Sequence, residues 1–108
     1  MGYTLNLPLR AATPATDQKR AFEAALDEMS SSFTPDLIII SAGFDSHIQD
    51  PLGQLLLKDD DFVDMTRSVK EWADSSCQGR VVSCLEGGYN LATLGGTVRA
   101  HVRELMAE

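Results

Sequence analysis

Basic residues are scarce in this chain: nine Lys and Arg stand against sixteen Asp and Glu over 108 residues, a formal net charge of -7. Sequence-independent nucleic-acid binding needs clustered cations to neutralise phosphates, so that class is excluded. The acidic balance suits a cationic substrate or partner and supports solubility in general. Cysteine is as scarce. Cys77 and Cys84 have neither zinc-binding nor redox spacing, which predicts two reduced thiols in a cytoplasmic protein. Cys84 falls inside an apolar run and is expected to be a small buried hydrophobe. No apolar run approaches the ~20 residues of a membrane span. The N-terminus shows no charged stretch followed by an apolar core, so no signal peptide is expected. There is no strand–GxGxxG–helix unit and no Walker lysine, and a nucleotide site finds no support. Asp59-Asp60-Asp61 lacks the alternating ligands and central glycine of a calcium loop, and reads as negative charge at a helix N-terminus.

What is present is 44% apolar residues, ordinary for a globular domain, and a length that predicts one domain over residues 1–108 with a modest core. Tyr3 to Leu9 alternates, with Leu5, Leu7 and Leu9 on one side, and predicts a short strand. Thr16 is placed to cap a helix carrying Phe22, Ala25, Leu26 and Met29, ended by Ser30-Ser31-Ser32. Phe62, Met65, Val69 and Trp72 step by three, four and three, one apolar helix face. A last helix starts near Asn90 and carries Leu91, Leu94, Val98, Val102 and Leu105; its Gly95-Gly96 pair is expected to allow close packing on the sheet. His101 on this helix reads as a partly buried structural residue. Strand, helix, strand, helix, strand, helix predicts parallel strands with right-handed crossovers and helices covering the sheet.

The chain is organised around Pro35 to Gly53, PDLIIISAGFDSHIQDPLG. Leu37 to Ile40 is an apolar β-branched run suited to a strand buried on both faces. Small residues follow, then Phe44, Asp45, Ser46, His47 and Asp50. In open α/β sheets ligands sit beyond the carboxyl ends of parallel strands, so carboxylates and an imidazole here mark a site candidate. Asp50-Pro51-Leu52-Gly53 is a turn signal. A second strand, Arg80 to Leu85, ends in the same way, at Glu86-Gly87-Gly88-Tyr89-Asn90. Taken alone, Asp45 reads as a loop-capping carboxylate or a hard metal ligand, and Tyr89 as a packed aromatic or a hydrogen-bond donor. Ser46 has no base beside it.

The pair AGFDSHIQDPLG and LEGGYN resembles the histone deacetylase superfamily, which includes acetylpolyamine amidohydrolases and acetoin-utilisation proteins. The resemblance extends through Leu55-Leu56-Leu57, Asp61-Phe62 and the terminal helix, and begins at Gly2-Tyr3-Thr4-Leu5-Asn6-Leu7-Pro8-Leu9, similar to the family's G-Y-x-x-N-x-P-L strand. It matches only the C-terminal part of the catalytic domain. It implies an α/β fold, three-layer α/β/α with a small parallel sheet, like the C-terminal part of the arginase/deacetylase fold.

By this resemblance Asp45 occupies a zinc-ligand position and Tyr89 that of the tyrosine that stabilises the transition state. Asp50 matches the Asp of the D-P-L-G turn and is expected to hold backbone N–H groups. Glu86 is expected to brace the site rim, and Gly87 and Gly88 to place the Tyr89 ring. Tyr3 matches a position whose carbonyl helps bind a structural monovalent cation in some relatives. The family's other two zinc ligands come from an Asp-x-His in an earlier strand-end loop, and its general base from a His-His pair. The chain has no His-His; its Asp45-Ser46-His47 imitates Asp-x-His, which makes His47 a further candidate ligand. The missing groups would lie upstream of Met1. The expectation is therefore a deacetylase-like C-terminal fragment, inactive alone and binding zinc at most weakly. Three readings stand: a remnant that pairs into a homo-oligomer to cover an open sheet edge, one half of a split enzyme acting on an acetylated amine, and a non-enzymatic binding module.

Overall fold

The computed structural model describes residues 3–50, 53 and 55–107. The order is α1 (Ala15–Ser32), β1 (Ile38–Ala42), α2 (Asp59–Ser76), β2 (Val81–Leu85) and α3 (Leu91–Met106). The strands are parallel, in a register that sets Ile38 beside Val81 and Ala42 beside Leu85. This is α/β architecture with a small parallel sheet.

α2 forms where the three-four-three spacing placed it, because an apolar stripe on a helix is stable only when buried. Phe62, Thr66, Val69 and Ala73 are its buried positions. Three aspartates fill its first turn, opposite in charge to the helix's positive end. Asp61 also accepts the Lys58 backbone N–H at 2.9 Å and pairs with Lys19 of α1 at 2.9 Å. Burial pushes the Asp61 carboxyl up, but the Lys58 N–H and the Lys19 cation outweigh it and hold it below the usual range. α3 begins after Asn90, whose side chain accepts from the Ala92 N–H, as an N-cap should. Its C-terminal carbonyls are met from α2: Lys70 Nζ donates to Glu104 O and to Ala107 O. The core lies between helices and sheet, with Phe44 packed edge-on to Phe62 at 5.2 Å and Ala42 and Leu57 beside them.

Several expectations are corrected. Residues 4–10 form no strand, and Leu5, Leu7 and Leu9 are exposed; alternation makes a strand only where another strand supplies ladder partners. Thr16 is not a cap, since α1 starts one residue earlier, behind Pro14, whose fixed φ leads directly into the first turn. Gly95 and Gly96 do not pack on the sheet: a Cβ on Gly95 would meet nothing within 4 Å, and one on Gly96 only Asp59 Oδ2 at 3.8 Å. Nor is β1 buried on both faces. Its burial alternates, with Ile39 64% exposed and Val82 opposite it 47% exposed. One βαβ crossover puts its helix on one face of the sheet, and among the described residues α2 and α3 pack on the face that carries Ile40 and Ser83. Cys84 points to the other face and is exposed, not buried. Gly2 of the N-terminal motif and Pro51-Leu52 of the turn lie outside the described residues. Among those described, no helix is long and apolar enough to cross a membrane.

Candidate active site

Because β1 and β2 are parallel neighbours, their carboxyl ends open side by side. The two following loops are joined by backbone bonds: Glu86 N–H donates to Ala42 O at 2.9 Å and Phe44 N–H to Gly87 O at 2.8 Å. This brings Asp45 to Gly87. A Cβ built on Gly87 would stand 3.2 Å from Asp45 Oδ1 and 3.5 Å from Tyr89 Oη. The carboxylate and the phenol therefore face the same glycine, where a Cβ would crowd the carboxylate and touch the phenol. Gly43 borders the carboxylate on its other side, its Cβ position 3.1 Å from Asp45 Oδ1. Asp45 is exposed and Tyr89 is half-exposed, so both groups are open to a ligand. Gly88 serves differently. Its φ of 137° and the Leu94 side chain 2.6 Å from its Cβ position leave room for glycine alone.

Asp50 lies beneath this pair, 8% exposed. Its Oδ1 accepts the Gly53 N–H at 3.0 Å and its Oδ2 the Tyr89 N–H at 2.6 Å. Asn90 adds a second tie between the loops, donating to Gln49 O at 2.6 Å. Glu86 is exposed at the rim and is anchored through its backbone.

His47 is turned away from the pair. The Gln49 N–H donates to its Nδ1 at 3.1 Å, which leaves the proton on Nε2 to donate to Asp59 Oδ1 at 3.1 Å. Its ring stacks parallel on Phe62. Thr97 of α3 donates to the same Asp59 oxygen at 2.5 Å. The His47–Asp59–Thr97 chain locks the loop after β1 to the start of α2 and to the second turn of α3. From sequence Asp59 reads only as charge at a helix N-terminus, and Thr97 was not singled out; the available signal was Thr97 itself, a polar residue between Leu94 and Val98 on the inner side of α3.

Among the described residues, no three His, Cys, Asp or Glu side chains converge as a metal set. Asp45 offers one carboxylate and both nitrogens of His47 are engaged. These residues alone do not fit a catalytic zinc, which takes three protein ligands.

The histone deacetylase domain family matches residues 1–105, so the chain belongs to that family. It is 40% identical over 104 residues to type-2 histone deacetylase 1 of Dictyostelium discoideum, covering 96% of this chain and 7% of that protein. Among solved structures, the HD domain of HDA15 superposes on 92% of this chain and 27% of its own, with a TM-score of 0.80 and 32% identity. An acetylpolyamine aminohydrolase from Burkholderia pseudomallei superposes on 98% of this chain and 29% of its own, with a TM-score of 0.84 and 26% identity. The fold is thus that of the arginase/deacetylase class, and the chain spans well under a third of each of these relatives.

Proposed function

We propose that this chain supplies the C-terminal part of a deacetylase active site that hydrolyses an acetylated amine. The observation that carries the reading is the meeting of the Asp45 carboxylate and the Tyr89 hydroxyl against Gly87, from two loops at one end of a parallel sheet. Tyr89 is the catalytic residue: its O–H donates to the carbonyl oxygen as that oxygen gains negative charge under attack. Asp45 is a metal ligand, and Asp50, Glu86, Gly87 and Gly88 support the pair. The metal is zinc, and its two remaining ligands and the His general base belong to the rest of the domain. The chain by itself is inactive. His47, with both nitrogens engaged, is a brace and not a ligand. The two free thiols agree with a cytoplasmic setting.

A second reading, a binding or oligomerisation module, is favoured by the uncovered sheet face at Ile39 and Val82. One experiment separates the two. The purified chain, washed with chelator, is titrated with zinc, alone and with a polypeptide carrying the upstream part of the domain; acetyl-lysine hydrolysis is then assayed. The expected result is no tight zinc site in the chain alone, and zinc uptake with hydrolysis on mixing, both lost in Asp45→Ala. Tyr89→Phe should keep the zinc and lose roughly a hundred- to a thousandfold in rate, as when one oxyanion donor is removed. Tight zinc binding by the chain alone that survives Asp45→Ala would overturn the reading.

A further inference from the structure

We infer that Asp50 is the positioning residue that sets the separation between Asp45 and Tyr89, an inference that rests on the deacetylase reading for its function but not for its geometry. Asp50 is a buried carboxylate whose two oxygens serve different loops. Oδ2 takes the Tyr89 N–H at 2.6 Å, across 39 residues of sequence. Oδ1 takes the Gly53 N–H at 3.0 Å. Gly53 in turn lies directly on Asp45, where a Cβ would fall on the Asp45 carbonyl oxygen. One rigid, planar group thus fixes the backbone on which the phenol is mounted and the backbone that packs against the main chain of Asp45. The Asp50 N–H is itself held by His47 O at 3.0 Å, so the His47–Asp59–Thr97 brace carries the carboxylate's own position.

The chemistry requires a carboxylate. Both of its oxygens accept, whereas an amide of the same shape offers one acceptor and one donor. Asp50→Asn therefore keeps volume and replaces one of the two acceptor oxygens that hold Gly53 and Tyr89 with a donor. An N–H donated to an ionised carboxylate is also stronger than one donated to a neutral group. Reacting groups misplaced by about 1 Å can cost on the order of a hundredfold in rate, which is why a fixed separation matters to a site of this kind.

The test uses the full 108-residue chain, without zinc or substrate, so its outcome is independent of whether the deacetylase reading holds. The first measurement needs no variant: the Tyr89 amide proton, in an isotope-labelled sample, should be shifted downfield and protected from solvent exchange despite lying in a loop. Exchange at the rate of an open loop amide would overturn the inference. The second measurement is a cycle on the ring of Tyr89, with the exposed Tyr3 as the reference in the same spectrum. Asp45→Asn should move the Tyr89 ring-carbon signal in the parent chain and move it by less than half as much in the Asp50→Asn background. Exchange of the Tyr89 amide should quicken roughly ten- to a hundredfold in Asp50→Asn, as expected for a lost bond to a charged acceptor, while the α2 amides stay unchanged. Equal movement of the Tyr89 ring in both backgrounds would show that the carboxylate does not couple the two groups. A purely stabilising Asp50 would slow exchange everywhere in the loop, without that coupling.

Discussion

His101 shows how much a single side chain can be asked to do in a small core. It is buried, edge-on to Phe44 at 5.5 Å, and both of its nitrogens are in use. The Thr66 hydroxyl donates to Phe62 O at 2.8 Å, so its oxygen is left to accept from His101 Nδ1 at 2.8 Å. Nε2 then accepts from Ser83 at 2.8 Å. Protonation would place a charge in this core and turn Nε2 into a donor. Burial accordingly lowers the imidazole from its ordinary value of 6.5. Below 6.5 the unfolded chain takes up a proton that the folded chain resists, so folding stability should fall as pH drops from there through the folded value. Above 6.5 the residue should contribute no slope. Denaturant titrations from neutral pH to pH 5 should show this loss, and His101→Gln should flatten it. A slope unchanged in His101→Gln would assign the loss to another group. His101→Ala should cost about 2–4 kcal/mol at neutral pH, because it opens a cavity and leaves Thr66 and Ser83 without their shared partner.

At the scale of elements, α3 carries a weakness that is not needed for its packing. Gly95 lies in the helix interior, exposed, with open space where a Cβ would go. Gly95→Ala should therefore stabilise the chain by about 1 kcal/mol, read from the denaturation midpoint. Gly88→Ala should do the opposite, by more than about 1 kcal/mol, because its φ of 137° and the nearby Leu94 admit no side chain. The same contrast marks what was legible in the sequence. Phe62, Met65 and Val69 announced α2 because helix burial is periodic in sequence. Asn90 announced the start of α3 because capping is local. Leu5, Leu7 and Leu9 alternate just as clearly and form no strand, since a strand depends on a partner that local sequence does not supply. Two glycines side by side look alike whether a neighbour approaches them or not. At the candidate site, the strand-then-loop pattern was enough to set Asp45 and Tyr89 at one end of the sheet. The bond from Asp50 to the Tyr89 N–H and the tie from His47 to Asp59 join residues of different loops and helices, and only the fold brings them together.

For the whole molecule the decisive feature is the sheet's second face. Ile39 and Val82 are direct neighbours across the ladder and both are exposed; Cys84 is exposed on the same face, and Leu37, just before β1, is 48% exposed. Both strands are also edges, since β1 and β2 make a two-stranded sheet among the described residues. Isolated apolar side chains on a surface need no explanation, but a contiguous set on a sheet with free edges favours association. The chain spans 27% and 29% of the two superposed deacetylase-fold structures, so the rest of such a domain is one cover for this face and a second copy of the chain is another. Each cover predicts a different response to dilution. If copies of the chain cover the face, sedimentation should show a species that dissociates on dilution, and Ile39→Lys with Val82→Glu should return it to monomer. Those substitutions are on exposed positions and touch neither the helix-facing core nor the Asp45–Tyr89 pair, so thermal stability of the monomer should change by less than about 1 kcal/mol. If the upstream part of the domain is the cover, the parent chain should remain a monomer that binds that polypeptide, and the same two charges should abolish binding. Deacetylase activity on mixing should then disappear as well, although every proposed site residue is intact. Binding that survives both charges would move the interface to the strand edges, where backbone groups and not side chains make the contact.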